Sequence, residues 1–349
     1  MAILRNSSCN LVTGAGFAAS NENMTRSTLP SAANRVSEKV ACAVRDGLCL
    51  QQKSLPPWLF YDQAGSRLFD KITARPEYYL TRTERGILAA NAGAMIAQAA
   101  QGAWLRIAEL GAGSADKTRL LLAAAIARQG TVVYEPVDVS PSALDSAQTR
   151  IEREIPGVRV VQRVTDYTQG LDFEPIPAGE RRLVLYIGSS IGNFDSGEAA
   201  RLLKGVRAGL NSGDSLLLGV DLVKEDSTLL AAYNDAGGVT AAFNRNLLVR
   251  LSRELGADFN PEAFSHRAVW NQSESRIEMY LVSQVAQRVR LAWLDWEIGF
   301  AAGETIHTEN SYKYRPGQAE EMLVEQGFSP VATWTDEQSW FAVCLGRVE

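Results

Sequence analysis

Residues 105–118 read Leu-Arg-Ile-Ala-Glu-Leu-Gly-Ala-Gly-Ser-Ala-Asp-Lys-Thr. The apolar run predicts a buried strand over 104–110, and the glycines predict a turn that opens a helix. A strand ending in Glu-x-Gly-x-Gly, with Glu109 two residues before Gly111, favours a cofactor that carries positive charge and ribose hydroxyls. A dinucleotide fingerprint would have a third glycine where Asp116 stands, and that carboxylate would repel a pyrophosphate. The stretch therefore favours S-adenosylmethionine over NAD, with an ordinary βα turn as the alternative.

The composition is that of a globular protein that acts on small molecules. The chain has 349 residues, of which 46% are hydrophobic and 21% charged, and its net charge is −5. It has no run of five basic residues, which argues against nucleic acid or an anionic membrane as partner. Its four cysteines lack metal-binding spacing, and its two histidines exclude a His-rich metal site. We therefore expect a cytoplasmic protein without a metal, and we expect a monomer.

Strand and helix patterns alternate through the middle of the chain. Strands are predicted over 104–110, 131–137, 158–164, 182–187 and 214–220, and helices over 116–128, 141–153 and 197–210. This alternation is typical of a doubly wound, mostly parallel α/β sheet. The tail adds a helix over 316–326 and a closing hairpin of strands over 329–335 and 339–347. We therefore predict a Rossmann-like methyltransferase sheet.

The remaining segments predict a second, smaller α+β domain. After residue 223 two helical patterns, near 225–233 and 238–255, precede period-2 runs at 266–273, 275–283 and 287–301. Residues 54–90 are rich in aromatics, and their prolines predict a compact wall or lid without a long helix. The predicted parts are a mobile leader (1–36), a substrate-binding domain (37–82 and 224–312) and the methyltransferase domain (83–223 and 313–349).

Acidic residues follow several predicted strands. Asp138 stands where a carboxylate accepts both ribose hydroxyls, and Asp166 is placed for the adenine amino group, with Tyr167 to stack on the ring. Lys117 flanks the glycine turn, whose backbone suits the carboxylate of the cofactor's amino-acid part. Ligands of open α/β sheets bind beyond the carboxyl ends of the strands. We therefore expect these residues at the cofactor, although a helix cap or a solvated loop is the alternative for each aspartate.

Residues 188–192 form a Gly-x-Ser-x-Gly pattern after an apolar strand. In an α/β-hydrolase Ser190 would be the nucleophile, with His266 or His307 as its base. That elbow requires a helix that begins at the serine, whereas the helix cap here is Asp195. A hydrolase is therefore the less favoured alternative, and a glycine-rich connection without substrate contact is another.

A polar run alternates over residues 306–314. Glu309 and Ser311 are two residues apart, so on a strand both point to the same face. A carboxylate beside a hydroxyl suits an imidazole N–H, because buried polar groups reject ligands that leave them unpaired. A surface strand with ordinary polar residues is the alternative.

Taken together, the sequence resembles the histidine-specific Nα-methyltransferases of ergothioneine biosynthesis, from about residue 53 to the end. The segments that carry the resemblance are Leu55-Pro-Pro57, Phe60-Tyr-Asp62, Gly65-Ser66, Pro76-Glu-Tyr-Tyr79, Thr81-Arg-Thr-Glu84, Glu109-Leu-Gly-Ala-Gly113, Gly188-Ser-Ser-Ile-Gly-Asn193, Gly238-Val-Thr-Ala-Ala-Phe-Asn-Arg-Asn246 and Thr308-Glu-Asn-Ser-Tyr-Lys313. The resemblance implies trimethylation of the α-amine of L-histidine to hercynine, with S-adenosylmethionine as donor. A catalytically silent small-molecule binder on the same fold stays the alternative of another class.

The resemblance also implies roles for single residues. The positions that match the family's cofactor site are Tyr61, Gly111, Lys117, Asp138, Asp166 and Tyr167. The positions that match its histidine pocket are Tyr78, Gly188, Asn193, Tyr233, Met279, Glu309 and Ser311. By the resemblance Glu309 and Ser311 contact the imidazole, and Asn193 and Tyr233 surround the amino-acid head group. Tyr61 and Asn193 are the expected catalytic residues, since neutral groups suit an amine that must react unprotonated. Fungal members of the family act on tryptophan derivatives, and Glu309 favours histidine because an indole has a single N–H.

Overall fold

The computed structural model describes residues 37–112, 115–139, 141–171 and 173–349. The predicted leader and Gly113 of the glycine turn lie outside these ranges. The described helices are α1 (Glu38–Leu48), α2 (Gln63–Thr73), α3 (Tyr79–Ala100), α4 (Thr118–Gln129), α5 (Pro141–Glu154), α6 (Ser196–Ala208), α7 (Asp226–Tyr233), α8 (Val239–Leu255) and α9 (Gln318–Glu325). The first strands are β1 (Lys53–Ser54), β2 (Trp104–Leu110), β3 (Val132–Asp138), β4 (Val158–Val160), β5 (Arg163–Val164), β6 (Glu180–Tyr186) and β7 (Ser215–Asp221). The later strands are β8 (Phe264–Asn271), β9 (Arg276–Ser283), β10 (Gln287–Leu291), β11 (Trp296–Phe300), β12 (Thr305–Tyr312), β13 (Ser329–Thr335) and β14 (Phe341–Arg347).

The larger sheet has the strand order β13-β14-β7-β6-β2-β3-β4, with β5 beside β3. Strands β2 to β7 pair in parallel, and β14 is antiparallel to both of its neighbours. The predicted parallel sheet and its closing hairpin are therefore confirmed. The chain moves outward from β2 to β3 and β4 and then returns to β6 on the other side of β2. This reversal makes the carboxyl ends of β2 and β6 the place where such a sheet binds ligands.

Two hydrophobic clusters cover the two faces of this sheet. Ile107 and Leu183 belong to one cluster, whereas Ala108 and Val184, the next residues on the same strands, belong to the other. This alternation is what a sheet buried on both faces requires, because successive side chains point to opposite sides.

The sequence-based boundaries were wrong in three places. Helix α3 runs from Tyr79 to Ala100, so the expectation of no long helix over 54–90 fails from Tyr79 onward. Its alanines give little contrast between an apolar and a polar face, and Pro76 lies just before its first residue. The single strand predicted over 158–164 is two short strands, β4 and β5. Pro136 of β3 lies opposite the gap between them and has no N–H to continue the ladder. The run 287–301 is a hairpin, β10 and β11, rather than one strand.

A smaller sheet has the order β1-β12-β9-β8. Its strand β12 continues to the carboxyl end of β7, where the Tyr314 N–H donates to the Asp221 carbonyl and the Val223 N–H donates to the Tyr314 carbonyl. This junction brings the polar face of β12 to the ligand-binding edge of the larger sheet. The division of the chain into two domains stays a prediction. Among the helices of the described ranges, none has both the length and the apolar character that a bilayer crossing requires.

Candidate active site

A cavity lies beyond the end of β6, between the larger sheet and β12. Its lining comes from Tyr61 and Tyr78, which precede α2 and α3, from the helices α2, α3, α7 and α8, from the segment 188–193, and from two strands of the smaller sheet. The lining residues are Tyr61, Phe69, Ile72, Tyr78, Leu80, Gly188, Ser189, Ser190, Asn193, Ala232, Tyr233, Thr240, Phe243, Met279, Glu309 and Ser311. All seven residues predicted for the histidine pocket are in this set, together with Tyr61. Segments far apart in the chain thus place the predicted substrate residues around one cavity.

Strand β12 carries the polar wall of the cavity. The pairing of β12 with β9 shifts register between His307 and Glu309. Such a bulge turns side chains relative to the regular pleat. After the bulge Glu309 pairs with Met279, and both line the cavity. The expectation that Glu309 and Ser311 share one face is confirmed.

Glu309 is a buried residue that lines the cavity, and its carboxylate has no partner within the described chain. The residue is 8% exposed. No described side chain or backbone N–H donates a hydrogen bond to its carboxylate. Burial raises the pKa of Glu309 to about 7, against the opposing effect of the nearby Lys313 cation. A buried carboxylate without a partner is costly, so this wall of the cavity favours a ligand that brings an N–H.

Behind Ser311 lies a hydrogen-bonded group that we call the lysine network, formed by Ser311, Tyr233, Lys313, Asp221 and Lys224. The Lys313 ammonium donates to Ser311 Oγ and to Tyr233 Oη, each at 2.8 Å, and pairs with Asp221 Oδ2 at 3.0 Å. The two hydroxyl oxygens are 2.7 Å apart. Lys224 donates to Asp221 Oδ1 at 2.6 Å, and burial lowers the pKa of Lys224 to about 8 while Asp221 opposes that shift.

An aromatic cluster forms the opposite wall. The ring of Tyr61 lies edge-on to Phe69 and Phe243, with centroids 5.8 and 6.0 Å away, and Tyr78 lies edge-on to Tyr233 at 6.2 Å. Tyr61 is 44% exposed although it lines the cavity, so it stands at the border between cavity and solvent. The next residue, Asp62, caps α2 through the Gly65 N–H and accepts from Asn246. These bonds hold the backbone on which Tyr61 stands.

The segment after β6 is held by a buried glutamate of α3. Gly188 has a φ of +84°, a conformation that favours glycine. Its N–H donates to Glu84 Oε1 at 2.8 Å, and the other oxygen of Glu84 pairs with Lys117. Glu84 is fully buried. One carboxylate therefore joins a residue predicted for the cofactor to a residue predicted for the substrate.

The other predicted cofactor residues lie along the same edge of the sheet but do not line the cavity. Gly111 has a φ of +65°, and a Cβ there would lie 3.4 Å from the Tyr167 hydroxyl, so the two residues are neighbours. Asp138 ends β3, and its carbonyl accepts from the N–H of Thr165. Asp166 accepts from Lys39 of α1 at 2.8 Å. This edge of the sheet thus carries Gly111 of the turn, the ring of Tyr167, and the carboxylates of Asp138 and Asp166.

Glu109, two residues before Gly111, is bonded to side chains of the protein itself. Its carboxylate accepts from Thr118 Oγ1 at 2.6 Å and from the Tyr134 hydroxyl, and the residue is 3% exposed. Both oxygens are therefore occupied by hydroxyls of the protein. Glu109 ties the end of β2 to the start of α4 and to β3, so it shapes the turn rather than faces a ligand.

The hydrolase alternative fails on geometry. Ser190 Oγ donates only a long bond, 3.4 Å, to the Ile187 carbonyl. The ring nitrogens of His266 contact the Tyr233 carbonyl and the Asn244 amide, and those of His307 contact Asn310 and Ser54. Neither histidine is bonded to the serine that would need it as a base.

Sequence reasoning missed three polar residues of this region: Glu84, Ser189 and Lys313. Lys313 could have been found, because it follows Glu309 and Ser311 at the same spacing of two and so lies on the same face of the strand. Ser189 accepts the Asp221 N–H at 2.9 Å and ties the segment to β7. Glu84 lies in α3 and ends the segment Thr81-Arg-Thr-Glu84, which is part of the resemblance, and that membership is the signal that could have directed it to the site.

Comparisons with known proteins agree with this geometry. The family model described as histidine-specific methyltransferase, SAM-dependent, matches residues 40–348. The histidine N-alpha-methyltransferase of Mycolicibacterium smegmatis is 45% identical over 314 residues, which cover 90% of this chain and 96% of that protein. The protein of the same name from Mycobacterium tuberculosis is 45% identical over 302 residues, with coverages of 86% and 92%. Ergothioneine biosynthesis protein 1 of Neurospora crassa is 30% identical over 294 residues, covering 81% of this chain and 32% of that protein. The chain belongs to the SAM-dependent, histidine-specific methyltransferase family.

Proposed function

We propose that this protein transfers three methyl groups in succession from S-adenosylmethionine to the α-amine of L-histidine. The product is hercynine, and the reaction is the first step of ergothioneine biosynthesis. The observation that carries the proposal is the Glu309 carboxylate, which has no donor within the described residues and lies beside the Ser311 hydroxyl on the wall of a cavity that aromatic and small polar side chains line together. An imidazole offers the N–H that this carboxylate lacks. The relatives named for histidine methylation support the same substrate.

The residues at the sheet edge fit S-adenosylmethionine as the donor. Gly111 leaves space where a side chain would meet Tyr167, and Asp138 supplies a carboxylate at the end of the neighbouring strand. We assign Gly111, Lys117, Asp138, Asp166 and Tyr167 to the donor, with Tyr61 between donor and substrate. When bound, the donor supplies an electrophilic methyl group on a sulfonium, so the protein need not provide a nucleophile.

The protein's task is then to hold the amine in line and to accept it unprotonated. Such positioning is worth up to about 7–11 kcal/mol in favourable cases. Tyr61 and Asn193 are neutral groups on the cavity wall, and a carboxylate at their place would keep the proton on the amine. We therefore assign the amine-side contacts to Tyr61 and Asn193 and the head-group contacts to Asn193 and Tyr233. Glu309, Ser311 and Met279 border the ring, with Tyr78 and Gly188 completing the pocket.

The test is incubation of the purified full chain with L-histidine and methyl-labelled S-adenosylmethionine, followed by mass spectrometry of the amino acid. We expect histidine with one, two and three added methyl groups, ending in the trimethylated form. L-Tryptophan in a parallel reaction is the matched control, and we expect no methyl transfer to it. Methylation of tryptophan with histidine unchanged, or binding of both ligands without any transfer, would overturn the proposal.

A further inference from the structure

The lysine network has a consequence for the state in which the substrate ring binds. Lys313 is fully buried, and its ammonium has three hydrogens. Two of them are donated to Ser311 Oγ and Tyr233 Oη, and the ammonium also forms an ion pair with the Asp221 carboxylate at 3.0 Å. Two hydroxyl oxygens therefore each accept one hydrogen from the same cation.

A single hydrogen lies between the two hydroxyls, which are 2.7 Å apart. We assign the donor of this bond to the phenol of Tyr233, because it is a far stronger acid than the alcohol of Ser311. Ser311 Oγ then accepts from Lys313 and from Tyr233, and both of its lone pairs are used. Its own hydrogen is left to point into the cavity that Ser311 lines.

We propose that Lys313 is a positioning residue that makes Ser311 a hydrogen-bond donor toward the substrate, so that the pocket selects the neutral imidazole ring. The inference rests on the proposed function, since it takes L-histidine as the ligand. Glu309 accepts the ring N–H, and Ser311 donates to the other ring nitrogen, which must carry no proton. The pocket therefore presents one acceptor and one donor, the complement of a neutral imidazole.

Two electrostatic effects oppose each other at the ring. The Glu309 carboxylate by itself favours an imidazolium, because an opposite charge nearby raises the pKa of a histidine ring. Directly behind Ser311 lies the Lys313 ammonium, 2.8 Å from Ser311 Oγ, and this positive charge disfavours a positive charge on the ring. An imidazolium would also face the Ser311 donor with an N–H, which leaves two buried donors without an acceptor. We infer that the donor at Ser311 and the positive charge behind it outweigh the effect of the Glu309 carboxylate, so that the bound ring is neutral.

The experiment is nitrogen NMR of ring-labelled ¹⁵N-L-histidine bound to the full chain with S-adenosylhomocysteine, at pH 6. At this pH the free ring is mostly protonated, because its ordinary pKa is about 6.5. In the wild-type complex we expect one protonated and one unprotonated ring nitrogen. In Lys313→Met, Ser311 regains a free lone pair and the positive charge is lost, so we expect both nitrogens protonated. This difference corresponds to a tenfold or larger change in the preference for the neutral ring.

Lys224→Met is the matched control, because it removes the other lysine on Asp221 without touching Ser311; we expect a neutral ring in it. If Lys313→Met does not fold, Tyr233→Phe decides, because it removes the hydrogen that occupies the second lone pair of Ser311. We expect a protonated ring in that variant as well. A protonated ring in the wild type overturns the inference while leaving the proposed function intact. A neutral ring in Lys313→Met, or in Tyr233→Phe if Lys313→Met does not fold, does the same. Absence of histidine binding to the wild type overturns the proposed function instead.

Discussion

Glu109 and Glu309 are two buried glutamates in two regions of the molecule, one at the end of β2 in the larger sheet and one on β12 in the smaller sheet. Burial raises the pKa of each to about 7. The carboxylate of Glu109 accepts from Thr118 and Tyr134, whereas that of Glu309 has no donor among the described residues. The two similarly buried glutamates therefore have different roles. Glu109 holds a turn in shape, and Glu309 presents an unused acceptor to a cavity.

The largest expected difference between the two glutamates is in stability. Glu109→Ala leaves the hydroxyls of Thr118 and Tyr134 without their acceptor in the core, so we expect the free energy of unfolding to fall by about 3–4 kcal/mol. Glu309→Ala removes an unpaired buried carboxylate, so we expect little loss or a gain. Urea unfolding at pH 7.5 measures both. Equal losses in the two variants would contradict the distinction.

The second difference is the pH dependence that Glu309 gives to stability. Between its ordinary pKa of 4.5 and its raised pKa of about 7, the folded chain holds a proton that the unfolded chain has lost. The stability contributed by this proton is present below pH 4.5 and disappears as the pH rises through 7. We expect Glu309→Gln to be more stable than the wild type at pH 8, by up to about 3 kcal/mol, and the gap to close toward pH 4.5. Unfolding curves across this range would contradict the prediction if the gap were constant.

How much of the fold and of the site can be predicted from the sequence depends on the kind of pattern. Strand β2 and the alternation behind the larger sheet follow from local periodicity and were predicted closely. Helix α3 was missed because its alanines give no amphipathic contrast, and the break between β4 and β5 depends on Pro136 of another strand. For the site, the two-residue spacing correctly placed Glu309 and Ser311 on one face. Which way Glu109 turns depends on Tyr134, a residue of another strand, so local sequence does not decide it.

A third prediction concerns substrate binding. Glu309→Gln loses a charge-assisted hydrogen bond to the ring, so we expect the affinity for L-histidine to fall by about 2 kcal/mol, roughly 10–100-fold. Binding of S-adenosylhomocysteine should stay within about twofold, because Glu309 does not lie at the cofactor edge. Calorimetric titrations of both ligands measure the two affinities. A loss of equal size for both would remove Glu309 from the assigned role.

The smallest expected effect is at the cofactor edge, where we expect a substitution to weaken cofactor binding and to leave histidine binding unchanged. Asp138→Ala removes the carboxylate that we assign to the ribose hydroxyls, so we expect S-adenosylhomocysteine to bind about tenfold more weakly. The affinity for L-histidine, measured with the cofactor product at saturation, should be unchanged. A normal cofactor affinity in this variant would place Asp138 outside the site.

The most direct test of the account follows the two carboxyl groups themselves. Carbon NMR of protein labelled with ¹³C at the glutamate side-chain carboxyl, assigned with Glu109→Gln and Glu309→Gln, records the titration of each residue with and without L-histidine. We predict that histidine moves the titration of Glu309 from near pH 7 to clearly lower pH, because the ring N–H stabilises the ionised form, and that it leaves Glu109 unchanged. A Glu309 titration that does not respond to histidine would contradict the account.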